Sequence, residues 1–183
     1  MTTALLIVDI QNDYFPSGRM ELVGSPQAAA EASGLLDAFR ARSLPVFHMQ
    51  HVSTRPNATF FLPDTEGVNI HGSVAPLASE TLLVKHYPNS FRGTPLLERL
   101  RAKNIDRLVI AGMMTHMCID TTTRAAADLG FECVLAHDAC ATRDLAFNGT
   151  KVPAREVQGA FVAALNGAFA KVLGTKEIVA SVG

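Results

Sequence analysis

The 183-residue sequence has few cysteines, no long apolar run and no excess of either charge. Its three cysteines, Cys118, Cys133 and Cys140, are an odd number without disulfide or zinc-site spacing, which is typical of a reducing compartment. Sixteen basic and seventeen acidic residues give a formal charge of −1 without a basic stripe, which argues against nucleic acid as a partner. The longest apolar runs have the length of strands and are too short to cross a bilayer.

The N-terminal segment also lacks a targeting signal. Residues Met1–Asp9 have neither the basic start nor the small-residue cleavage site of a signal peptide. We therefore expect a cytoplasmic protein that binds neither nucleic acid nor a membrane. Hydrophobic residues make up 48% of the chain and charged residues 18%, which favours a compact protein over disorder. At this length, one domain over 1–183 is the simplest organisation.

Alternating apolar and amphipathic segments predict the fold. Continuous runs rich in branched residues are typical of strands buried on both faces. Such runs predict strands at 4–10, 45–51, 81–85, 107–112 and 132–137, with a short sixth strand at 169–173. Helices are predicted at 27–41, 96–102, 118–129 and 153–167, with a last turn or two after Thr175. This alternation indicates an α/β protein, a three-layer αβα Rossmann-like fold with a parallel sheet of about six strands.

Three chemically distinct side chains fall at the carboxyl ends of the predicted strands. Asp9 ends the first strand, Lys85 ends the third, and Cys118 follows the fourth in the first turn of a helix for which Thr115 is a candidate N-cap. Ligands of parallel sheets bind beyond these strand ends, so we expect the three side chains to meet. The helix start and the ammonium favour a thiolate, and the carboxylate can accept the thiol proton. The pattern predicts a cysteine nucleophile at neutral pH.

The longest irregular segment covers 52–79 and contains three prolines and two glycines. A loop of this length in a compact domain is usually a lid or a binding loop. It carries the apolar pair Phe60 and Phe61. Two interpretations stay open: the pair belongs to a functional loop, or the aromatic rings pack back onto the core.

Three motifs carry a resemblance to a known family. They are Leu-Ile-Val-Asp9-Ile-Gln-Asn-Asp, Val-Lys85-His-Tyr-Pro-Asn-Ser-Phe91 and Gly112-Met-Met-Thr-His-Met-Cys118, the last followed by Thr-Thr-Arg-Ala-Ala. In this order and spacing they resemble the isochorismatase-like cysteine hydrolases, the superfamily that includes nicotinamidases and N-carbamoylsarcosine amidase. The resemblance covers essentially the whole chain.

The resemblance implies roles for individual residues. Cys118 would be the nucleophile, Asp9 the general base and then the acid, and Lys85 the third member of a triad. It also implies a non-proline cis peptide at Met113–Met114, with the N–H groups of Met114 and Cys118 forming the oxyanion hole.

The sequence departs from the family at the metal site of nicotinamidases, which bind a metal through an Asp-x-His pair and another histidine. The matching residues here are Met49-Gln50-His51, so the carboxylate ligand is missing. His48 and His51 lie an odd number of positions apart and would point to opposite faces of a sheet, and His71 is the only other candidate nearby. We therefore expect no metal and no other cofactor.

The leading interpretation is a hydrolase that cleaves a small amide-type C–N bond through a thioester acyl-enzyme. Two alternatives are a vinyl-ether hydrolase, in which this cysteine need not be the nucleophile, and a non-catalytic module that binds a small ligand. A nucleotide or flavin site is disfavoured because Ile10-Gln-Asn-Asp follows the first strand in place of a glycine-rich turn.

Apolar residues near the motifs predict the character of the substrate. The candidate substrate-binding residues are Phe15, His51, Phe60, Phe61, Tyr87, Phe91 and Met117. An apolar enclosure favours a small uncharged or aromatic amide, whereas Arg55, Arg92 and His51 could meet the carboxylate of a small acid amide. The expected partners are a small-molecule substrate and further copies of the chain, as a dimer or tetramer.

Overall fold

The computed structural model describes residues 2–182 as strands and helices that alternate along the chain. The strands are β1 (Thr2–Val8), β2 (Val46–His51), β3 (Thr81–Lys85), β4 (Ile105–Met113), β5 (Glu132–Ala141), β6 (Leu145–Phe147), β7 (Thr150–Val152) and β8 (Lys171–Leu173). The α-helices are α1 (Ser25–Ala41), α2 (Leu96–Ala102), α3 (Asp120–Asp128), α4 (Ala154–Leu165) and α5 (Thr175–Ser181). Short 3₁₀ turns cover Asn12–Tyr14, Glu66–Val68 and Gly72–Val74, and a π-helical turn covers Thr115–Ile119.

Six strands form one sheet in the order β3-β2-β1-β4-β5-β8, and every neighbouring pair is parallel. One apolar core lies between the sheet and helices α1 and α5. A second core lies on the opposite face, under α2, α3 and α4. Successive side chains of β1 enter the two cores alternately, as expected of a strand buried on both faces. The predicted α/β fold with a six-stranded parallel sheet is confirmed.

The chain departs from the predicted elements after β4. The helix predicted over 118–129 is present as α3, but a π-helical turn precedes it. The prediction of Thr115 as its N-cap was wrong, because the Thr115 hydroxyl donates to Gln158 Oε1 at 2.6 Å. The antiparallel hairpin of β6 and β7 was not predicted. Its turn residues, Asn148 and Gly149, have positive φ angles of 49° and 75°, and this dipeptide is a known signal for a hairpin.

The ends of β1 and β4 approach each other closely at Gly112. This glycine has a φ of 136°, and a Cβ atom there would lie 2.0 Å from the carbonyl oxygen of Val8. Only glycine fits such a contact between backbones. The turn that follows β4 is therefore held directly beside the residue that follows β1. Within residues 2–182, no helix is both long and apolar enough to cross a membrane.

Candidate active site

Asp9 follows the last residue of β1, at the carboxyl edge of the sheet. Its φ of 53° is in the left-handed region, which aspartate adopts more readily than most residues, and its N–H donates to Met49 O at 3.1 Å. The side chain is fully buried. The strand predicted over 4–10 is too long at its C-terminal end, because the backbone turns away from the sheet at Asp9.

Lys85 is the last residue of β3 and is also fully buried. Its Nζ lies 2.7 Å from Asp9 Oδ2 and donates to Cys118 Sγ at 3.3 Å. It also donates to the backbone oxygens of Tyr87 at 3.0 Å and Pro88 at 3.4 Å. The structure thus brings the three predicted catalytic side chains together around one ammonium group.

Cys118 lies in the π-helical turn, and its side chain is 3% exposed. The Met113–Met114 peptide that precedes the turn is cis. The N–H groups of Met117 and Ile119 both donate to Met114 O, at 3.0 and 3.2 Å, which closes the turn around the cysteine. Cys118 is one of the residues that line a cavity beside the turn.

Burial and mutual charge set the ionisation of the three groups. Burial opposes ionisation of Asp9, but Lys85 and His51 outweigh it and lower the pKa of the carboxyl. Burial likewise opposes the charge of Lys85, but the neighbouring Asp9 carboxylate outweighs it and raises the pKa of Lys85. Burial and the negative charge of Asp9 raise the pKa of the Cys118 thiol despite Lys85. These directions favour a carboxylate, an ammonium and a neutral thiol, whereas the sequence predicted a thiolate, and the difference arises from the burial of the turn.

His51 is a fourth polar group in this cluster. Its Nδ1 lies 3.2 Å from Lys85 Nζ, 3.7 Å from Asp9 Oδ2 and 4.0 Å from Cys118 Sγ. The side-chain amide of Gln11 fixes the backbone of His51. The N–H of His51 donates to Gln11 Oε1 at 2.7 Å, and Gln11 Nε2 donates to the carbonyl oxygen of His51 at 2.9 Å. Sequence reasoning did not identify Gln11, although it lies two residues after Asp9 in the first motif.

The cavity beside Cys118 has a volume of about 520 Å³. One wall is the continuous stretch 53–60, and the floor and remaining walls include Tyr14, Met114 and Met117. The stretch is tied at its ends, because Ser53 N donates to Phe61 O at 2.9 Å and Phe61 N donates to the Asp13 carboxylate at 2.6 Å. This volume suits a small organic ligand.

Three of the seven predicted substrate-binding residues, His51, Phe60 and Met117, line this cavity. Phe61 is fully buried behind Phe60, with ring centroids 4.9 Å apart. Both interpretations of the long loop therefore hold in part, because one ring packs into the core and the other faces the cavity. Tyr14, which sequence reasoning did not select, also lines it.

The other three predicted residues lie outside the cavity, each because its ring has another partner. Phe15 stacks on His71 with centroids 3.7 Å apart. Phe91 stacks on Phe131 at 6.1 Å. The exposed ring of Tyr87 lies beneath the guanidinium of Arg92, 3.7 Å from its centroid. The prediction that these three rings form part of an apolar enclosure for the substrate was therefore wrong.

The cluster of possible metal ligands does not fit a cation. The ligand atoms of Asp9, His51 and Cys118 lie within 4.8 Å of one another. However, the Lys85 ammonium lies 2.7 to 3.3 Å from all three and would repel a metal ion between them. Met49, which the sequence analysis matched to the carboxylate ligand of nicotinamidases, is buried in the apolar core.

The two other histidines that the sequence offered as metal ligands are engaged elsewhere. His48 Nε2 lies 2.9 Å from Glu80 Oε2, and the Nδ1 atom of His71 lies 2.8 Å from Ser73 Oγ. These contacts direct neither ring toward Cys118. The charged groups beside the thiol are therefore Asp9 and Lys85, which form an ion pair with each other.

Comparisons with known proteins agree with this geometry. The Isochorismatase domain family model matches residues 3–177. The uncharacterized isochorismatase family protein YddQ of Bacillus subtilis is 52% identical over 179 residues, covering 98% of this chain and 99% of that protein. A crystal structure described as an isochorismatase hydrolase from Oleispira antarctica is 51% identical, with a TM-score of 0.94, and the match covers 98% of this chain and 96% of that one.

Two further relatives are named for the hydrolysis of particular compounds. A streptothricin hydrolase of Streptomyces noursei is 34% identical over 142 residues, covering 78% of this chain and 50% of that protein. The nicotinamidase/pyrazinamidase of Mycobacterium tuberculosis is 28% identical over 148 residues, covering 69% of this chain and 80% of that protein. The chain belongs to the isochorismatase family of hydrolases.

Proposed function

We propose that this hydrolase cleaves a small amide-type C–N bond through a thioester on Cys118, with Asp9 and Lys85 completing the catalytic triad. The single observation that carries the proposal is the position of the Lys85 ammonium, 2.7 Å from Asp9 Oδ2 and 3.3 Å from Cys118 Sγ. A carboxylate, a cation and a thiol in contact beneath a cavity provide the base, the charge stabilisation and the nucleophile of covalent catalysis.

The first step forms the acyl-enzyme. Because the resting thiol is neutral, its proton moves to the Asp9 carboxylate as Sγ attacks the amide carbon and the carbonyl π electrons move to oxygen. The backbone N–H groups of Met114 and Cys118 are the proposed donors to that oxyanion. When the C–N bond breaks, Asp9 returns the proton to the leaving nitrogen, and a thioester remains on the enzyme.

The second step is hydrolysis of the thioester. Asp9 takes a proton from water as the water oxygen attacks the thioester carbon. The C–S bond then breaks, a carboxylic acid leaves, and the proton passes to Cys118 Sγ. Lys85 stays an ammonium throughout, because its raised pKa keeps it charged, and it stabilises both the sulfur and the carboxylate.

The cavity supports a small and largely uncharged substrate. Its wall near the thiol includes Phe60, Met114 and Met117, so burial of a ring or alkyl group would supply binding energy. The relatives named nicotinamidase/pyrazinamidase and streptothricin hydrolase are consistent with amide chemistry on this fold.

The direct test is a panel of small amides, imides and ureas assayed for release of ammonia or amine. Cys118→Ala should lower kcat at least about 10³-fold on any substrate found, because it removes the nucleophile. Cys133→Ala is the matched control, since that buried thiol lies in β5, outside the cavity. A Cys118→Ala enzyme that keeps its activity on that substrate would contradict the proposal, because this thiol would then not be the nucleophile.

The thiol itself can be followed by alkylation. Iodoacetamide should label Cys118 before Cys133 and Cys140, because only Cys118 lines the cavity. Since the pKa of Cys118 is raised, the rate should increase about tenfold per pH unit from pH 6 to 9. A rate that is already constant below pH 7, measured by mass spectrometry, would show a resting thiolate and contradict the proton transfer from the thiol to Asp9.

A further inference from the structure

Lys85 and Cys118 come from strands that are not neighbours in the sheet. Lys85 ends β3, the outermost strand, whereas Cys118 follows β4, and the strands β2 and β1 lie between them. The segment 86–95, which joins β3 to α2, supplies two acceptors to the Lys85 ammonium. These are the backbone oxygens of Tyr87 at 3.0 Å and Pro88 at 3.4 Å. The position of the ammonium beside Sγ therefore depends on how this segment is held.

Thr122 ties the segment to the helix that follows Cys118. It lies in α3, four positions after Cys118, and its side chain is fully buried. The Thr122 hydroxyl donates to Pro88 O at 3.3 Å, and this oxygen also accepts from Lys85 Nζ. Thr122 Oγ1 accepts from Ser90 N at 3.1 Å and lies 2.9 Å from the hydroxyl of Ser90, which is buried as well.

These contacts use the whole hydrogen-bonding capacity of the Thr122 hydroxyl. A hydroxyl has one hydrogen to donate and two lone pairs to accept. Its hydrogen goes to Pro88 O, and the two lone pairs accept from the N–H and the hydroxyl of Ser90. The hydroxyl fixes both backbone positions at once, because moving either would leave a buried polar group without its partner.

The Lys85 ammonium has more acceptors around it than hydrogens to donate. The acceptors within 3.4 Å of Nζ are Asp9 Oδ2, Tyr87 O, His51 Nδ1, Cys118 Sγ and Pro88 O, at 2.7, 3.0, 3.2, 3.3 and 3.4 Å. An ammonium has three hydrogens, so the longer contacts compete. The bond from Thr122 holds Pro88 O at the longest of these distances. Without that bond, Pro88 O can approach Nζ and take the hydrogen that is directed to Sγ.

Resting on the proposed triad, we infer that Thr122 is a positioning residue for Lys85. Its hydroxyl keeps the Pro88 carbonyl in place, and this carbonyl in turn keeps Nζ in contact with Cys118 Sγ. Within the described chain, Thr122 is not one of the residues that line the cavity. Its effect on the reaction is therefore exerted through the ammonium.

Alkylation of Cys118 by iodoacetamide tests this inference without a substrate. Lys85 lowers the pKa of the Cys118 thiol, against burial and the charge of Asp9. Thr122→Val removes the hydroxyl, so the contact between Nζ and Sγ weakens and less thiolate forms at a given pH. Labelling at pH 8, followed by mass spectrometry, should be about threefold to tenfold slower than in the wild type. A purely structural defect would act in the opposite direction, because a loosened turn exposes the thiol.

Thr123→Val is the matched control. Thr123 is the next residue of α3 and is also fully buried, but its hydroxyl has no hydrogen-bond partner within residues 2–182. Removing this hydroxyl should leave the labelling rate within about twofold of the wild-type rate. Thr122→Ser, which retains a hydroxyl at the position, should also stay within about twofold.

Turnover gives a second measurement. On an amide substrate, Thr122→Val should lower kcat about tenfold and leave KM within about threefold of the wild-type value, because the cavity wall is unchanged. A rise in KM with an unchanged kcat would assign Thr122 to the binding of substrate and overturn the inference.

Three labelling results would also overturn it. These are labelling of Thr122→Val at or above the wild-type rate, equally slow labelling of Thr123→Val, and equally slow labelling of Thr122→Ser. If circular dichroism shows that Thr122→Val is unfolded, Ser90→Ala decides, since it removes one donor to Thr122 Oγ1 and keeps Ser90 N. Slower labelling of Ser90→Ala would support the inference, and an unchanged or faster rate would overturn it.

The labelling rates separate this inference from the proposed reaction. Slow labelling of Thr122→Val with normal labelling of Thr123→Val supports the role of Thr122 even if no amide is hydrolysed. The proposed reaction fails by a different result, turnover that persists in Cys118→Ala, and that result leaves the labelling rates of the other variants as they are.

Discussion

The ammonium of Lys85 lies 2.7 Å from Oδ2 of Asp9, and both side chains are fully buried. Each charge has lost most of its contact with water, and each remains ionised because of the other: the pKa of Asp9 is lowered and that of Lys85 is raised. Neither residue can be removed alone without leaving an unpaired buried charge. Catalysis and stability are therefore coupled at this pair.

Lys85→Met should destabilise the protein by about 3–5 kcal/mol, because the Asp9 carboxylate would stay buried without its partner. The double variant Asp9→Asn/Lys85→Met should recover most of that loss, since it buries no charge. Both proteins should be inactive on any amide substrate. Urea denaturation gives the stabilities, and a double variant no more stable than Lys85→Met would mean that the pair does not account for the loss.

The edge of the sheet could be predicted from the sequence, and the details of its turns could not. Asp9, Lys85 and Gly112 end apolar runs, and in a parallel sheet such ends meet on one side. Whether the chain beyond Gly112 begins an α-helix or a π-helical turn depends on contacts distant in sequence. One of them is the hydrogen bond from Thr115 to Gln158, which replaces an N-cap.

The cavity wall was harder to predict than the triad. Tyr14 and Phe15 are adjacent aromatic residues, and apolar character alone does not indicate which one faces the thiol. The 3₁₀ turn directs Tyr14 to the cavity and Phe15 to the ring of His71. The same limit applies to Phe60 and Phe61, where the bond from Phe61 N to the Asp13 carboxylate fixes the buried ring.

Glu80 should contribute stability that depends on pH. Its carboxylate accepts hydrogen bonds from Arg40 Nε at 2.7 Å and Leu77 N at 2.9 Å, and lies 2.9 Å from His48 Nε2. Burial opposes its ionisation, but these donors lower its pKa from 4.5 to about 2. A lowered carboxyl pKa stabilises the fold above the unfolded value of 4.5, and that contribution is lost as the pH falls toward 2.

Glu80→Gln should therefore cost about 1–3 kcal/mol at pH 7 and less at pH 3. Glu132→Gln is the matched control, because Glu132 pairs with Arg107 in an exposed ion pair that is worth about 0–1 kcal/mol. Urea denaturation at both pH values measures the difference. An equal loss for Glu80→Gln at pH 7 and pH 3 would contradict the role of its charge.

Activity should survive removal of metal ions. The Lys85 ammonium takes the position that a cation would need between Asp9, His51 and Cys118. After prolonged dialysis against a chelator, kcat/KM on an amide substrate should stay within about twofold of its starting value, since no step of the proposed mechanism involves a metal. A large loss that zinc or another divalent ion restores would overturn this prediction.

The last prediction concerns the charge of the substrate. Two arginines are candidates to bind a carboxylate, and the structure separates them: Arg55 lines the cavity with an exposed side chain, whereas Arg92 lies over the ring of Tyr87, outside it. An exposed guanidinium contributes about 0–1 kcal/mol to an ion pair, too little to offset the desolvation of a carboxylate against Phe60 and Met117. We therefore expect kcat/KM for benzamide to exceed that for a dicarboxylic monoamide such as succinamic acid by about tenfold or more. A preference for the acid amide that disappears in Arg55→Ala, but persists in Arg92→Ala, would identify Arg55 as a carboxylate receptor and reverse the assignment.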